Sequence, residues 1–117
     1  MYTIYQAGPL FSEAERDWHE KLKQALKDAG HAVEWPGDLF RDDAIAKAGA
    51  NATALIFDRC IRTLDKCDCV VALLDGTQVD DGTAWEIGYA YAKGLPIYGI
   101  RTDTRQLGEN PFNRATA

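Results

Sequence analysis

The chain has 117 residues, 46% of them hydrophobic, and a formal net charge of −5. That is enough apolar material for one core, so a single domain over residues 1–117 is expected, while the acidic balance excludes an electrostatic footprint for polymeric DNA or RNA. No apolar run reaches the roughly 18 residues that a membrane span needs, and the start "MYTIYQAGPLF" lacks the basic region of a secretory leader.

Residues 2–7, "YTIYQA", alternate and are β-rich, and the turn Gly8-Pro9 stops them as a first strand. Ser12 and Glu15 have the spacing of a capping box. Trp18, Leu22, Ala25, Leu26 and Ala29 then recur at helical spacing until Gly30, which leaves His19 on the polar helix face. "HAVEWP" (31–36) reads as a short strand that Pro36 ends. In the segment 37–52, "RDDAIAKAGAN" reads as one short helix ending near Gly49. A longer helix starts near Thr53, with Ile56, Cys60, Ile61 and Leu64 on one face. "CVVALLD" (69–75) is nearly unbroken in its apolarity, as suits a strand buried on both faces of a parallel sheet. "GTAWEIGYAYAKG" reads as a helix and "PIYGIRTD" (96–103) as another strand. Strands alternating with helices predict an α/β three-layer sandwich with a mostly parallel sheet of four to five strands. The tail, about 104–117, shows no periodicity and is expected to be irregular and short for this fold.

Three cysteines, Cys60, Cys67 and Cys69, without a secretion signal, point to reduced thiols in a cytoplasm. Cys67 and Cys69 have no second pair and no nearby histidine, so they read as small core residues. His19 and His31 lack partners at ligand spacing, and no metal site is expected.

Ligands of open parallel sheets sit beyond the carboxyl ends of the strands. Here those ends are "AGPLF" (7–11), "DGTQVDDGT" (75–83) and "RTD" (101–103). The first is neither a dinucleotide fingerprint nor a phosphate-binding P-loop. No nucleophile elbow supports a serine triad. Carboxylates remain: Asp75, Asp80, Asp81 and Glu86, with Tyr5 near the end of the first strand. Glu86 reads as a first-turn helix residue, where the macrodipole favours its ionised form. An ionised carboxylate in a partly apolar pocket suits nucleophilic attack at a sugar C1′, with a second carboxylate as acid and base. The residues alone leave the bland alternative open, in which Glu86 faces water and Asp80 and Asp81 are turn residues.

"TIYQAGPLFSEAE" and "LLDGTQVDDGTAWEIGYAYAKGLPIYGIRTD" together resemble the nucleoside 2-deoxyribosyltransferase family, over about residues 2–16 and 52–103. The resemblance implies a flavodoxin-like fold and transfer of a 2-deoxyribosyl group between nucleobases through a covalent ester, with no cofactor. Glu86 would be the nucleophile and Tyr5 would orient its carboxylate. Asp80 would hold the sugar hydroxyls. The family's proton-donating aspartate has Asp58 as its nearest counterpart, although a gapless match lands on Cys60. "WPGDLF" (35–40) would supply Trp35 and Phe40 as base-stacking rings and Asp38 as a polar contact; Trp35 and Phe40 read equally well as core. Gly8 and Pro9 would let the base approach the backbone, and Gly82 would be a further substrate-binding residue. An asparagine from a neighbouring subunit, with Asn110 and Asn113 as candidates, would complete the pocket. Implied partners are purine or pyrimidine 2′-deoxyribonucleosides, free nucleobases and a second copy, in a homo-oligomer built from dimers. Asp75 and Asp81 are expected to tune the local charge.

The nearest rival is a 2′-deoxynucleoside 5′-monophosphate N-glycosidase, which carries a serine where this chain has Asp80; an aspartate there repels a phosphate. A non-catalytic nucleoside sensor would keep the pocket without needing both Tyr5 and Glu86. A receiver-like signalling domain would need acidic residues where this chain has Ala7-Gly8-Pro9.

Overall fold

The computed structural model describes residues 1–104. Four strands form one parallel sheet: β1 (Thr3–Ala7), β2 (Ala32–Glu34), β3 (Cys69–Leu73) and β4 (Ile97–Ile100), in the order β2-β1-β3-β4. Four α-helices connect them: α1 (Glu13–Asp28), α2 (Asp43–Lys47), α3 (Ala52–Lys66) and α4 (Asp81–Ala92). The segment that is hardest to read in the sequence is broken into a 3-10 turn over Pro36–Arg41, α2 and a second 3-10 turn over Gly49–Asn51. No helix among the described residues is long and apolar enough to cross a membrane.

Local chemistry accounts for the element ends. The capping box of α1 is complete: Ser12 Oγ accepts from the Glu15 amide at 3.1 Å and Glu15 Oε1 accepts from the Ser12 amide at 2.8 Å. Gly30, at φ 95°, takes the left-handed conformation that releases the chain from α1 into β2. Every residue of β3 is buried, as its apolar run requires.

Strand alternation splits the core into two layers. Tyr5, Ala7, Val70 and Ala72 pack with Leu64 of α3 and with Ala90 and Ile87 of α4. On the opposite face Ile4, Cys69 and Val71 meet Leu22 and Leu26 of α1. Cys67 and Cys69 are buried free thiols, and burial pushes the Cys67 thiol up to about 12.

β2 and β3 flank β1 on opposite sides, so the strand order reverses between β1 and β3. The chain leaves β1 towards α1 on one face and leaves β3 towards α4 on the other. The two connections diverge and open a crevice at the carboxyl ends of β1 and β3.

Two readings need correction. His19 does not lie on a polar face but is fully buried, because Gln6 Nε2 reaches its Nδ1 at 2.8 Å and its backbone oxygen at 2.9 Å, and its ring stacks on Trp35. Burial, the largest cause, pulls its pKa below the ordinary value. And α4 starts at Asp81 with Asp80 as N-cap, which makes Glu86 the sixth helical residue, in the second turn. The macrodipole, felt within the first turn, does not reach Glu86 with the strength expected.

Candidate active site

β1 supplies Tyr5 from within the sheet, where it is only 1% exposed. Its hydroxyl donates a hydrogen bond to Glu86 Oε2 of α4, and Cys60 of α3 lines the same cavity beside it. Three elements distant in sequence thus converge on one phenol. Burial, then the Glu86 charge, holds the Tyr5 pKa far above its ordinary value, so the hydroxyl stays a donor. Glu86 is pushed up to about 7: burial dominates, the Tyr5 hydrogen bond opposes it and the charge of Asp80 adds to it. The carboxylate is therefore poised near neutrality by desolvation rather than stabilised by the helix.

Asp80 caps α4. Its Oδ2 accepts from the Thr83 amide and hydroxyl, each at 3.1 Å, and the buried Thr83 fixes the aspartate at the pocket edge. Gly8 is the residue at which β1 turns away. It lies so close to the buried ring that a Cβ would come within 2.6 Å of His19 and 3.0 Å of Leu73 Cβ. A glycine is required by this contact and by its φ of 153°.

A cavity of about 330 Å³ lies over this constellation. Gly8, Asp80, Gly82, Cys60 and Glu86 form its polar and backbone side; Leu10, Phe11, Leu39, Phe40, Ile45 and Ile56 form its apolar side. No Lys or Arg lines it among the described residues. A smaller cavity of about 200 Å³ adjoins it through the shared walls Pro36, Leu39 and Cys60, and holds Tyr5, Trp35, Asp38, Asp42, Arg59 and Thr63. Among the described residues no cluster of three or more His, Cys, Asp or Glu would hold a metal ion.

Most of the candidate residues come together. Glu86, Asp80, Gly8, Gly82 and Phe40 line the larger cavity, and Tyr5, Trp35 and Asp38 line the smaller one. Phe40 is 67% exposed, so it is not core, whereas Trp35 is buried and also borders the cavity. Two residues are elsewhere. Asp58 is exposed and ion-paired with Arg62 at 3.0 Å, one turn along α3, and it lines neither cavity; Cys60, two positions on, points inward instead. Helical geometry is the reason, since residues two apart on a helix lie on different faces. Pro9 borders a separate groove with Trp18 and Asp75. Asn110 and Asn113 lie outside the described residues. Asp58→Ala is expected to change turnover less than about twofold, because an exposed i,i+4 pair contributes little; initial rates check this.

Ile45 was not singled out in the sequence, Phe11 and Leu39 stood unremarked inside the loops 7–11 and 35–40, and Ile56 was read only as part of an apolar helix face; all four line the larger cavity. Asp75 has a structural task. Its Oδ1 accepts from the Thr102 amide at 2.6 Å and it also takes the Thr102 hydroxyl, which ties together the loops that follow β3 and β4. Burial opposes its ionisation, but these hydrogen bonds win and its pKa falls below the usual carboxylate value. Asp81 is exposed at the first position of α4.

The profile of the nucleoside 2-deoxyribosyltransferase family matches residues 4–114. The chain belongs to that family. A conserved protein from Enterococcus faecalis V583 superposes with a TM-score of 0.77 at 35% identity, over 98% of this chain and 72% of that one. The 2-deoxyribosyltransferase of the psychrotolerant bacterium Bacillus psychrosaccharolyticus superposes with a TM-score of 0.79 at 25% identity, over 91% and 77%. The parallel α/β architecture is thus shared with a solved 2-deoxyribosyltransferase. An uncharacterized protein of Schizosaccharomyces pombe is 32% identical over 111 residues, which are 91% of this chain and 53% of that protein. The chain spans about half the length of that relative. An uncharacterized protein of Ureaplasma parvum is also 32% identical, over 87% of this chain and 71% of its own length.

Proposed function

We propose that the protein transfers a 2-deoxyribosyl group between nucleobases through an ester on Glu86. The observation that carries this reading is the part-buried Tyr5–Glu86 hydrogen bond at the edge of a cavity with apolar walls. In the first half-reaction a Glu86 carboxylate oxygen attacks C1′. The C1′–N bond breaks, its electron pair leaves with the base, and the base takes up a proton. In the second, a ring nitrogen of the incoming base attacks C1′, the ester C–O bond breaks, and Glu86 regains its carboxylate while the new nucleoside loses a proton. Tyr5 donates to the carboxylate as negative charge returns to it.

Free nucleosides fit the site better than nucleotides. Asp80 and the reacting carboxylate of Glu86 would both repel a 5′-phosphate, and the larger cavity offers no cationic side chain among its described residues to take one. A 2′-hydroxyl would need its own partner beside Glu86, and an unpaired hydroxyl in such a pocket is penalised. The test mixes the protein with deoxyinosine and free adenine and separates the products by chromatography. Deoxyadenosine is the expected product. Release of hypoxanthine alone would make the protein a hydrolase, and no product from deoxynucleosides or their monophosphates would refute the catalytic reading.

The elevated Glu86 pKa also carries a stability cost. The folded state prefers the protonated carboxyl, so Glu86's stabilising contribution is whole below its ordinary value of 4.5 and is lost as pH rises through about 7. Glu86→Gln removes the ionisation. At pH 8 it is expected to be more stable than the parent by on the order of 2–3 kcal/mol, with the gap narrowing towards pH 5. Thermal melts of both proteins across that range measure it; equal stability at pH 8 would contradict a desolvated carboxylate.

A further inference from the structure

The fully buried His19 sits beneath segments that build the site. Gln6, next to Tyr5 on β1, donates from Nε2 to His19 Nδ1 at 2.8 Å and to the His19 backbone oxygen at 2.9 Å. Nδ1 therefore accepts, and the imidazole proton sits on Nε2. Trp35, at the end of the strand that leads into the 3-10 turn, stacks on the ring at 5.6 Å with 20° between the planes, and Trp18 lies nearly perpendicular to it at 5.2 Å. The remaining edge, Cε1 and Nε2, lies under the turn at Gly8, 2.6 Å from where a Cβ would stand. Gly8 and Glu86 both line the larger cavity. Stability does not explain this cluster. Gln6 Oε1, His19 Nε2 and Trp35 Nε1 are buried without a hydrogen-bond partner among the described residues, which costs more than an apolar filling of the same shape. What the polar atoms add is orientation: the Gln6 bonds fix the rotation of the imidazole, and the two indoles hold its plane.

We infer that His19 is a positioning residue: its imidazole props the Gly8 turn from inside the core and so sets where that wall of the larger cavity stands relative to Glu86. The inference rests on the reading that Glu86 attacks C1′, and adds to it the group that fixes the wall against which the substrate is held. Such a prop acts on rate more than on binding. The apolar walls that bury the substrate stay in place when the turn sinks, whereas a misplacement of about 1 Å at the reacting atoms can cost about 10²-fold in turnover. Two variants separate the ring from its hydrogen bond. His19→Asn keeps an acceptor at the place of Nδ1 but removes the ring edge beneath Gly8. His19→Phe keeps a ring beneath Gly8 and against Trp35 but gives up the nitrogens, while Gln6 Nε2 retains its bond to the backbone oxygen at that position.

Two measurements on the full chain test this. Hydrogen exchange of the peptide over residues 7–11, read by mass spectrometry, should quicken at least about tenfold in His19→Asn and hold in His19→Phe. In transfer from deoxyinosine to adenine, His19→Asn should lower kcat about 10- to 100-fold with KM within about threefold of the parent, and His19→Phe should keep kcat within about threefold. Melts followed by circular dichroism confirm that each variant is folded; should His19→Asn not fold, His19→Val, apolar and without a ring, takes its place with the same expected losses. Unchanged exchange in the variant that lacks the ring, equal losses in both variants, quickened exchange with kcat intact, or a loss that falls on KM would each overturn the inference. A parent that transfers no deoxyribose sinks the reaction instead. The exchange contrast then still decides whether His19 holds the turn.

Discussion

Glu86→Ala is expected to lower deoxyribosyl transfer by about 10⁴-fold or more, the scale seen when a covalent nucleophile is deleted. Among the described residues the larger cavity has no second carboxylate free to take over. Asp80 is the nearest negative charge, but it is held as the cap of α4 by two hydrogen bonds to Thr83. Asp58 faces away from the cavity towards Arg62. The conservative Glu86→Asp should be almost as damaging, because losing one methylene withdraws the carboxylate from both Tyr5 and C1′, and reaction rates depend steeply on such distances. The measurement is the product chromatogram with deoxyinosine and adenine, run beside the parent. An alanine variant that keeps a tenth of the parent rate would place the nucleophile elsewhere. Since Glu86 ionises near pH 7 in the free protein, the parent's kcat/KM should rise through that pH as the carboxylate forms.

Tyr5→Phe should cost about 10²-fold in rate, the usual loss for a preorganised donor to a charge-bearing oxygen, and should move that acid limb. The sign follows from the site. The Tyr5 hydrogen bond is what pulls the Glu86 pKa down against burial, so its removal raises that pKa further and shifts the rise in kcat/KM to higher pH. The same hydroxyl serves both half-reactions, since it receives the carboxylate when the ester breaks. Single-turnover rates for loss of the first base and for appearance of the second nucleoside should therefore both fall. A profile that keeps its midpoint in the phenylalanine variant would show that Tyr5 acts only through packing. Phenylalanine preserves that packing, so the fold is expected to survive.

Much of the architecture is a local property of the chain. The capping box at Ser12 and Glu15, the unbroken apolar run of β3 and the glycine after α1 each specify an element through interactions a few residues apart, and the element order then prescribes a parallel α/β sheet. Glu86, Asp80 and Tyr5 were legible as candidates because their residue types sit at strand ends and at a helix start. The start of α4, and with it the position of Glu86 in the second turn, is also set locally, by Asp80 capping Thr83 three residues on. Two matters were not local. The choice between Asp58 and Cys60 depends on which face of α3 packs against β1, and two residues reverse the answer. The elevated pKa of Glu86 and the unmatched Trp35 indole arise only from burial among groups far apart in the chain. The sequence by itself determined the elements and the chemical types at their ends, because those follow from neighbouring residues. Only the tertiary structure decided what each side chain faces and how dry it is, because facing and desolvation are properties of packed surfaces.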